Sequence, residues 1–297
     1  MSISKIFKAF LASLTLCLIL GLSACAKNQT QTKADQLKVV TTTDFYGEVA
    51  QAVLGSHGKV TPIITSPSVD PHDYEPTTKT AKLVAKADLA VYNGLEYDSW
   101  IKKLGAKKYL TVASVTGAKI GQNEHLWYQP QTMSKLALAL AKEYGRLDPK
   151  HKQDYLANAK KYQAKLTPLT KMVAQIKTKS QGQKVAVSEP VFDYSLEAMG
   201  YHIINKHFAM AAEEETDPSY TDIKKLQTAI KNKEIAFFVL NTQSDSKVIT
   251  NMVKLCQEYK IPVVKVTETL PAHQNYVSWI HRLPDRRGPR RHAHERR

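Results

Sequence analysis

The chain has 297 residues, of which 43% are hydrophobic and 23% charged, and a formal net charge of +15. A chain of this length holds two domains. Its three Cys exclude a disulfide scaffold and a thiolate metal cluster, because Cys17 and Cys25 fall in the N-terminal segment and only Cys256 remains in the body. Two of the fifteen positive charges lie at Lys5 and Lys8 and a net five in the last 17 residues, leaving eight on the body. There Lys alternates with Glu and Asp, the pattern of a solvated surface rather than a nucleic-acid patch.

Residues 1–24 read as a signal peptide: Lys5 and Lys8 precede an apolar run, Ala9 to Leu22, that is too short for a comfortable membrane span of about 20 residues. The run ends in Leu22-Ser23-Ala24-Cys25, which resembles the lipobox of bacterial lipoproteins. That resemblance implies that Cys25 is the lipidated first residue of the mature protein; the alternative is an uncleaved anchor. Both place the body outside the cytoplasm, on a membrane. Residues 25–36 follow as a polar, flexible tether.

From there strand and helix patterns alternate. Leu37 to Thr42, Val60 to Ile64, Leu89 to Tyr92 and Tyr109 to Val112 read as strands; Phe45 to Leu54, Thr77 to Lys86, Ser99 to Leu104 and Thr132 to Tyr144 read as helices. This order predicts an α/β lobe with a parallel sheet over residues 37–148. A long helix is expected over residues 149–180, starting at Asp148-Pro149. Its apolar stripe runs from Tyr155 through Tyr162, Leu166 and Leu169 to Ile176, with Pro168 a possible kink. The alternation restarts over residues 181–280. Strands are expected at Lys184 to Val187, His202 to Asn205, Ile235 to Leu240 and Pro262 to Val266, and helices at Phe192 to Met199, Ser219 to Lys231 and Ser246 to Glu258. The prediction is two α/β lobes joined by one long helix. Cys256 falls on an apolar helical face, as a buried small hydrophobe does.

Four residues stand where an open parallel sheet binds ligands, beyond the carboxyl ends of strands. His72 lies in Asp70-Pro71-His72-Asp73-Tyr74-Glu75-Pro76, and His125 in Asn123-Glu124-His125-Leu126-Trp127. Glu189 follows one strand and Glu268 another. Two imidazoles with two carboxylates suit a divalent ion and need no thiol. The flanking Pro71, Pro76 and Pro190 stiffen the loops. The remaining body histidines, His57, His151, His202, His207 and His273, have no such spacing and read as structural.

The segment Asp70 to Pro76 resembles the first ligand motif of the metal-binding solute-binding proteins of ABC importers, the cluster A-I family of zinc- and manganese-binding proteins, some of them adhesins. The similarity extends from about Val39 to Trp279. It implies that His72, His125, Glu189 and Glu268 bind Zn2+ or Mn2+ as the transported ligand. The third position is His in many zinc-type members and Glu in manganese-type members; here it is Glu189. The fourth is commonly Asp; here Glu268 stands in Thr267-Glu268-Thr269. No His-rich loop separates the first two motifs, which leans toward manganese or a generalist. The resemblance further implies an extracytoplasmic protein on the outer face of the bacterial cell membrane, a monomer that docks on ABC permease subunits and performs no catalysis.

Two other functions compete. One is a surface adhesin whose metal is structural. The other is an extracellular metal-dependent hydrolase, which the lack of His-Glu-x-x-His and Gly-x-Ser-x-Gly motifs disfavours. Past Ile280 the pattern breaks: residues 281–297 carry seven Arg and no Lys, with Pro284 and Pro289 breaking any helix. They read as an aberrant, disordered basic tail from a shifted reading frame. A basic arm and a metal-gathering His292/His294 tail are the alternatives.

Overall fold

The computed structural model describes residues 36–244 and 246–281. The signal peptide, Cys25, nearly all of the tether and the Arg-rich tail lie outside the described residues.

Eight short strands form two parallel sheets. The first holds β1 (Leu37–Thr43), β2 (Gly58–Ile64), β3 (Leu89–Tyr92) and β4 (Tyr109–Thr111) in the order β2-β1-β3-β4. The second holds β5 (Lys184–Val187), β6 (His202–Ile203), β7 (Phe238–Asn241) and β8 (Val263–Val266) in the order β6-β5-β7-β8. The two orders are the same, so the lobes repeat one topology although no short repeat is visible in the sequence. In each sheet the order reverses beside the first strand, and the crevice at the carboxyl ends near such a reversal is where ligands bind. Central strands buried on both faces read as apolar runs, as in Leu89-Ala90-Val91-Tyr92. Pro62 is tolerated because β2 is an edge strand.

The helices of the first lobe are α1 (Asp44–Leu54), α2 (Thr78–Ala85), α3 (Val112–Thr116) and α4 (Thr132–Leu147). Thr77 caps α2 by accepting from the Thr80 amide. Then comes α5 (Lys152–Ser180), 29 residues and about 44 Å long at 1.5 Å per residue. The expected stripe is its buried face: Tyr155, Ala159, Tyr162, Leu166 and Leu169 are buried, with Met172, Val173 and Ile176 packed against the core. Pro168 lies within α5 without ending it. The helix stops where Gln181 and Gly182 both turn left-handed. The second lobe adds α6 (Asp193–Ala198), α7 (Lys206–Glu213), α8 (Tyr220–Lys231) and α9 (Lys247–Glu258), and α10 (Tyr276–His281) closes the described chain.

One apolar cluster runs from Val39 and Phe45 through Tyr162 and Leu166 of α5 to Val187 and Phe192 of the second lobe. At its centre Trp127 is fully buried and contacts Phe45 and Tyr97 through its ring. Each buried aromatic of this kind is worth about 1.5–3 kcal/mol over an exposed one. Cys256 is buried in a second cluster with Phe238 and Met252. Hydrogen bonds also cross between the lobes: Tyr128 donates to the Thr267 carbonyl (2.6 Å), Ser195 to the Tyr128 carbonyl (2.6 Å) and Tyr276 to the Trp127 carbonyl (2.6 Å).

Several local expectations change, among them the strand expected over Ile235 to Leu240, which spans Phe238–Asn241. Residues 99–104 form a 3-10 helix rather than an α-helix. The strand expected to reach Asn205 stops at Ile203, because the Asn205 side chain takes over the pairing, accepting from the Val187 amide (3.0 Å) and donating to its carbonyl (2.7 Å). The short helices α3 and α7 carry no long periodic pattern and were not anticipated. Among the other histidines, His57 stacks on His151 at 3.9 Å and pairs with Asp154, a structural contact that pins α5 to the first lobe.

Candidate metal centre

Every candidate donor follows a strand in the chain, directly, through a loop, or after one short helix. Asp70 and His72 follow β2, Glu124 and His125 follow β4 and α3, Glu189 follows β5, Glu213 ends α7 after β6, and Glu268 follows β8.

The loop carrying His72 is fixed from inside. Asp70 accepts from the His72 amide (2.8 Å), and Trp100 donates to the Pro71 carbonyl (3.0 Å). The His72 ring stands edge-on to Tyr97 at 4.8 Å and is partly exposed, as a residue at a cleft mouth would be. His125 is different: it is 0% exposed. Asn123 Oδ1 accepts from both the His125 amide (2.9 Å) and Nδ1 (2.8 Å). With the proton on Nδ1, Nε2 carries the lone pair, and that nitrogen is buried without a hydrogen-bond partner. Burial, and then the nearby His72, holds the ring neutral by lowering its pKa to about 3. A neutral imidazole with a fixed tautomer and an open Nε2 is the state in which His binds a metal.

Asn123 also reaches the other lobe, donating through Nδ2 to the Pro190 carbonyl (2.7 Å), one residue past Glu189. Deeper in the first lobe, Asn93 donates to the Glu124 carbonyl (2.9 Å) and accepts from Tyr46. Gly94, Leu95 and Glu96 are all left-handed there, a costly conformation for the last two. Buried Asp98 holds the turn, accepting from the amides of Asn93 (2.7 Å) and Gly94 (2.9 Å) and from Thr42 (2.6 Å).

In the second lobe Asn241 donates to Glu189 Oε2 (2.6 Å) and thus orients that carboxylate. Gln243 accepts from the amides of Glu268 (2.7 Å) and Thr269 (3.1 Å) and donates to the Pro67 carbonyl (2.7 Å), tying the Glu268 turn to the His72 loop. Glu268 Oε1 and the Tyr97 hydroxyl are both buried without full hydrogen bonds.

His72 is the hub of the arrangement. Ligand atoms of Asp70, His72 and Glu268 lie within 4.8 Å of one another, and so do those of His72, Glu124 and Glu213. His125 Nε2 is 3.4 Å from Glu213 Oε1, and His72 Nε2 is 3.8 Å from Glu124 Oε1. Glu189 joins neither trio, though its charge is felt at both Glu213 and Glu268. Crowding raises the carboxyl pKa values. Burial, then the charge of Glu268, pushes Glu213 up to about 10, and burial, then Asp70, pushes Glu268 up to about 8. Burial likewise raises Glu124 and Glu189. Five acidic groups crowd two imidazoles, so the most buried of them, Glu213 and Glu268, hold protons near neutral pH; a divalent cation would displace those protons and neutralise the carboxylates.

Of the expected set, His72 and Glu268 adjoin directly, His125 lies across Glu213, and Glu189, held by Asn241, joins neither trio. Sequence reasoning passed over Glu124, the neighbour of His125, and Glu213. The Asn123, Asn241 and Gln243 side chains that position the donors were also unmarked, since single amides in loops or at a strand end carry no pattern.

Two α/β lobes on one long helix, with imidazole and carboxylate groups converging between them, define a cleft-type ligand-binding protein. The family described as ZnuA, zinc-uptake complex component A periplasmic, matches residues 39–285, and the chain belongs to it. It is 27% identical to the high-affinity zinc uptake system protein ZnuA of Bacillus subtilis over 255 residues, 76% of this chain and 78% of that protein. It is 26% identical to the manganese ABC transporter substrate-binding lipoprotein PsaA of Streptococcus pneumoniae over 268 residues, 83% and 85% of the two chains. The fold matches that of the periplasmic zinc binding protein TroA from Treponema pallidum with a TM-score of 0.68 at 17% identity, covering 83% of this chain and 95% of that one.

Proposed function

We propose that this chain captures a divalent transition metal, Mn2+ or Zn2+, outside the cytoplasm and delivers it to the membrane subunits of an ABC permease. The observation that carries the reading is the fully buried His125, whose Nε2 lone pair has no partner and faces a carboxylate, with His72 and further carboxylates converging from both lobes. His72, His125, Glu189 and Glu268 are the proposed ligands. The relatives are named for zinc uptake and manganese transport, which supports a transported ion rather than a catalytic one. The chain works as a binding protein and not as an enzyme. Its body is anchored by lipid on Cys25, on the outer face of the membrane. Its parts are a first lobe of residues 37–148, a linking helix of 149–180 and a second lobe of 181–280.

Deleting the gene should lower cellular manganese or zinc accumulation at limiting supply, with restoration by the intact chain and not by a His72→Ala variant. Unchanged accumulation of both metals in the deletion strain would refute delivery.

A further inference from the structure

We propose that Glu213 is a metal ligand that sets the choice of ion, adding an oxygen donor that favours a five- or six-coordinate ion such as Mn2+ over a tetrahedral Zn2+. This rests on the function proposed above and deepens it.

Three features of the structure converge on Glu213. The first is its place opposite His125. The imidazole Nε2 is buried, has no hydrogen-bond partner and lies 3.4 Å from Glu213 Oε1. A lone pair and a carboxylate oxygen do not face each other at this distance in a buried setting unless a proton or a cation comes between them. Two donors each about 2.0–2.2 Å from one ion and 3.4 Å from each other subtend roughly 100–115° at it, an angle that fits a shared metal.

The second is the convergence of Glu213 with His72 and Glu124, all within 4.8 Å. Donors trans to each other across one ion stand about 4.0–4.4 Å apart, so a closure of a few tenths of an ångström brings the His72 nitrogen and the Glu213 oxygen onto a single ion. The third is the position of Glu213 in α7. It is the last residue of that helix, where the helix dipole disfavours a negative charge, and its side chain is largely buried. A cation in the cleft offsets both costs.

The count of donors then selects the metal. Zn2+ completes its shell with four ligands. His72, His125, Glu189 and Glu268 already supply four, so a fifth donor is superfluous for Zn2+. Carboxylate oxygens in larger number suit Mn2+.

The test is titration of the chelator-stripped full chain and its Glu213→Gln variant with MnCl2 and with ZnCl2, in competition with a chelating dye. The expected result is a loss of Mn2+ affinity of at least the 10–100-fold typical of altered metal shells, with Zn2+ affinity changed less than about threefold on the fourfold-shell argument. X-ray absorption should show a change in the oxygen shell at the manganese edge of the variant and none at the zinc edge, since carbonyl or water oxygen takes the place of the carboxylate on Mn2+. Should Glu213→Gln fail to fold, Glu213→Asp keeps the charge, withdraws the carboxylate by one methylene and should give the same split. Unchanged Mn2+ affinity, or equal losses for both ions, would overturn the role of Glu213. Failure of the unsubstituted chain to bind either ion would instead overturn the proposed function.

Discussion

Replacing His125 with Ala should reduce affinity for Mn2+ and Zn2+ by more than about a hundredfold, beyond the 10–100-fold typical of outer-shell changes. As a proposed ligand, His125 would supply a direct donor from a fully buried position, and no neighbouring side chain on that loop offers a second imidazole. Asn123→Ala should fall within the 10–100-fold range instead, because it releases the Nδ1 contact that fixes the tautomer without removing the donor. Competition titration of both variants checks the order. Near-native affinity in His125→Ala would show that the ion, if bound, sits elsewhere.

Metal should also raise thermal stability, and more so at alkaline pH. Binding to the native state alone contributes about 2.7 kcal/mol at a free metal concentration one hundred times Kd, or roughly 5–10 °C in Tm for a body of this size. The pH dependence follows from the raised carboxyls. Folding lifts Glu268 from 4.5 to about 8 and Glu213 from 4.5 to about 10. Between pH 4.5 and 8 the folded, metal-free protein therefore holds protons that the unfolded chain has released. The unfolded state binds fewer protons, so stability of the metal-free form falls as pH rises through that window. A bound dication relieves the repulsion that develops. The metal-induced rise in Tm should thus be larger at pH 8 than at pH 5.5, measured by calorimetric scans with and without MnCl2. A shift that is absent, or larger at the acid end, would count against a cleft of crowded carboxylates.

Much of the fold was legible because its signals are local. Leu89-Ala90-Val91-Tyr92 is a buried strand by composition, and the spacing of Tyr155, Ala159, Tyr162 and Leu166 places one face of α5 against the core. The candidate donors were legible where they sit at strand ends or in a Pro-stiffened loop, as with His72 and Glu189. Glu213 was not, for two physical reasons. It ends an eight-residue helix too short to show a period, and it lies in a run of three Glu, Glu213 to Glu215, that reads as a solvated surface. Only the folded chain brings it to His125. The orienting roles of Asn241 and Gln243 were hidden for a related cause: each depends on partners far along the chain; Asn123 orients His125 only two residues on, but a single loop amide carries no pattern.

Crystals of the full chain grown with MnCl2 and measured at the manganese absorption edge would locate the ion itself. One strong anomalous peak per chain is expected between the lobes, within about 2.0–2.3 Å of imidazole nitrogens from His72 and His125 and of carboxylate oxygens from the second lobe. A cleft without a peak, in crystals that hold manganese at another place, would contradict capture at that site.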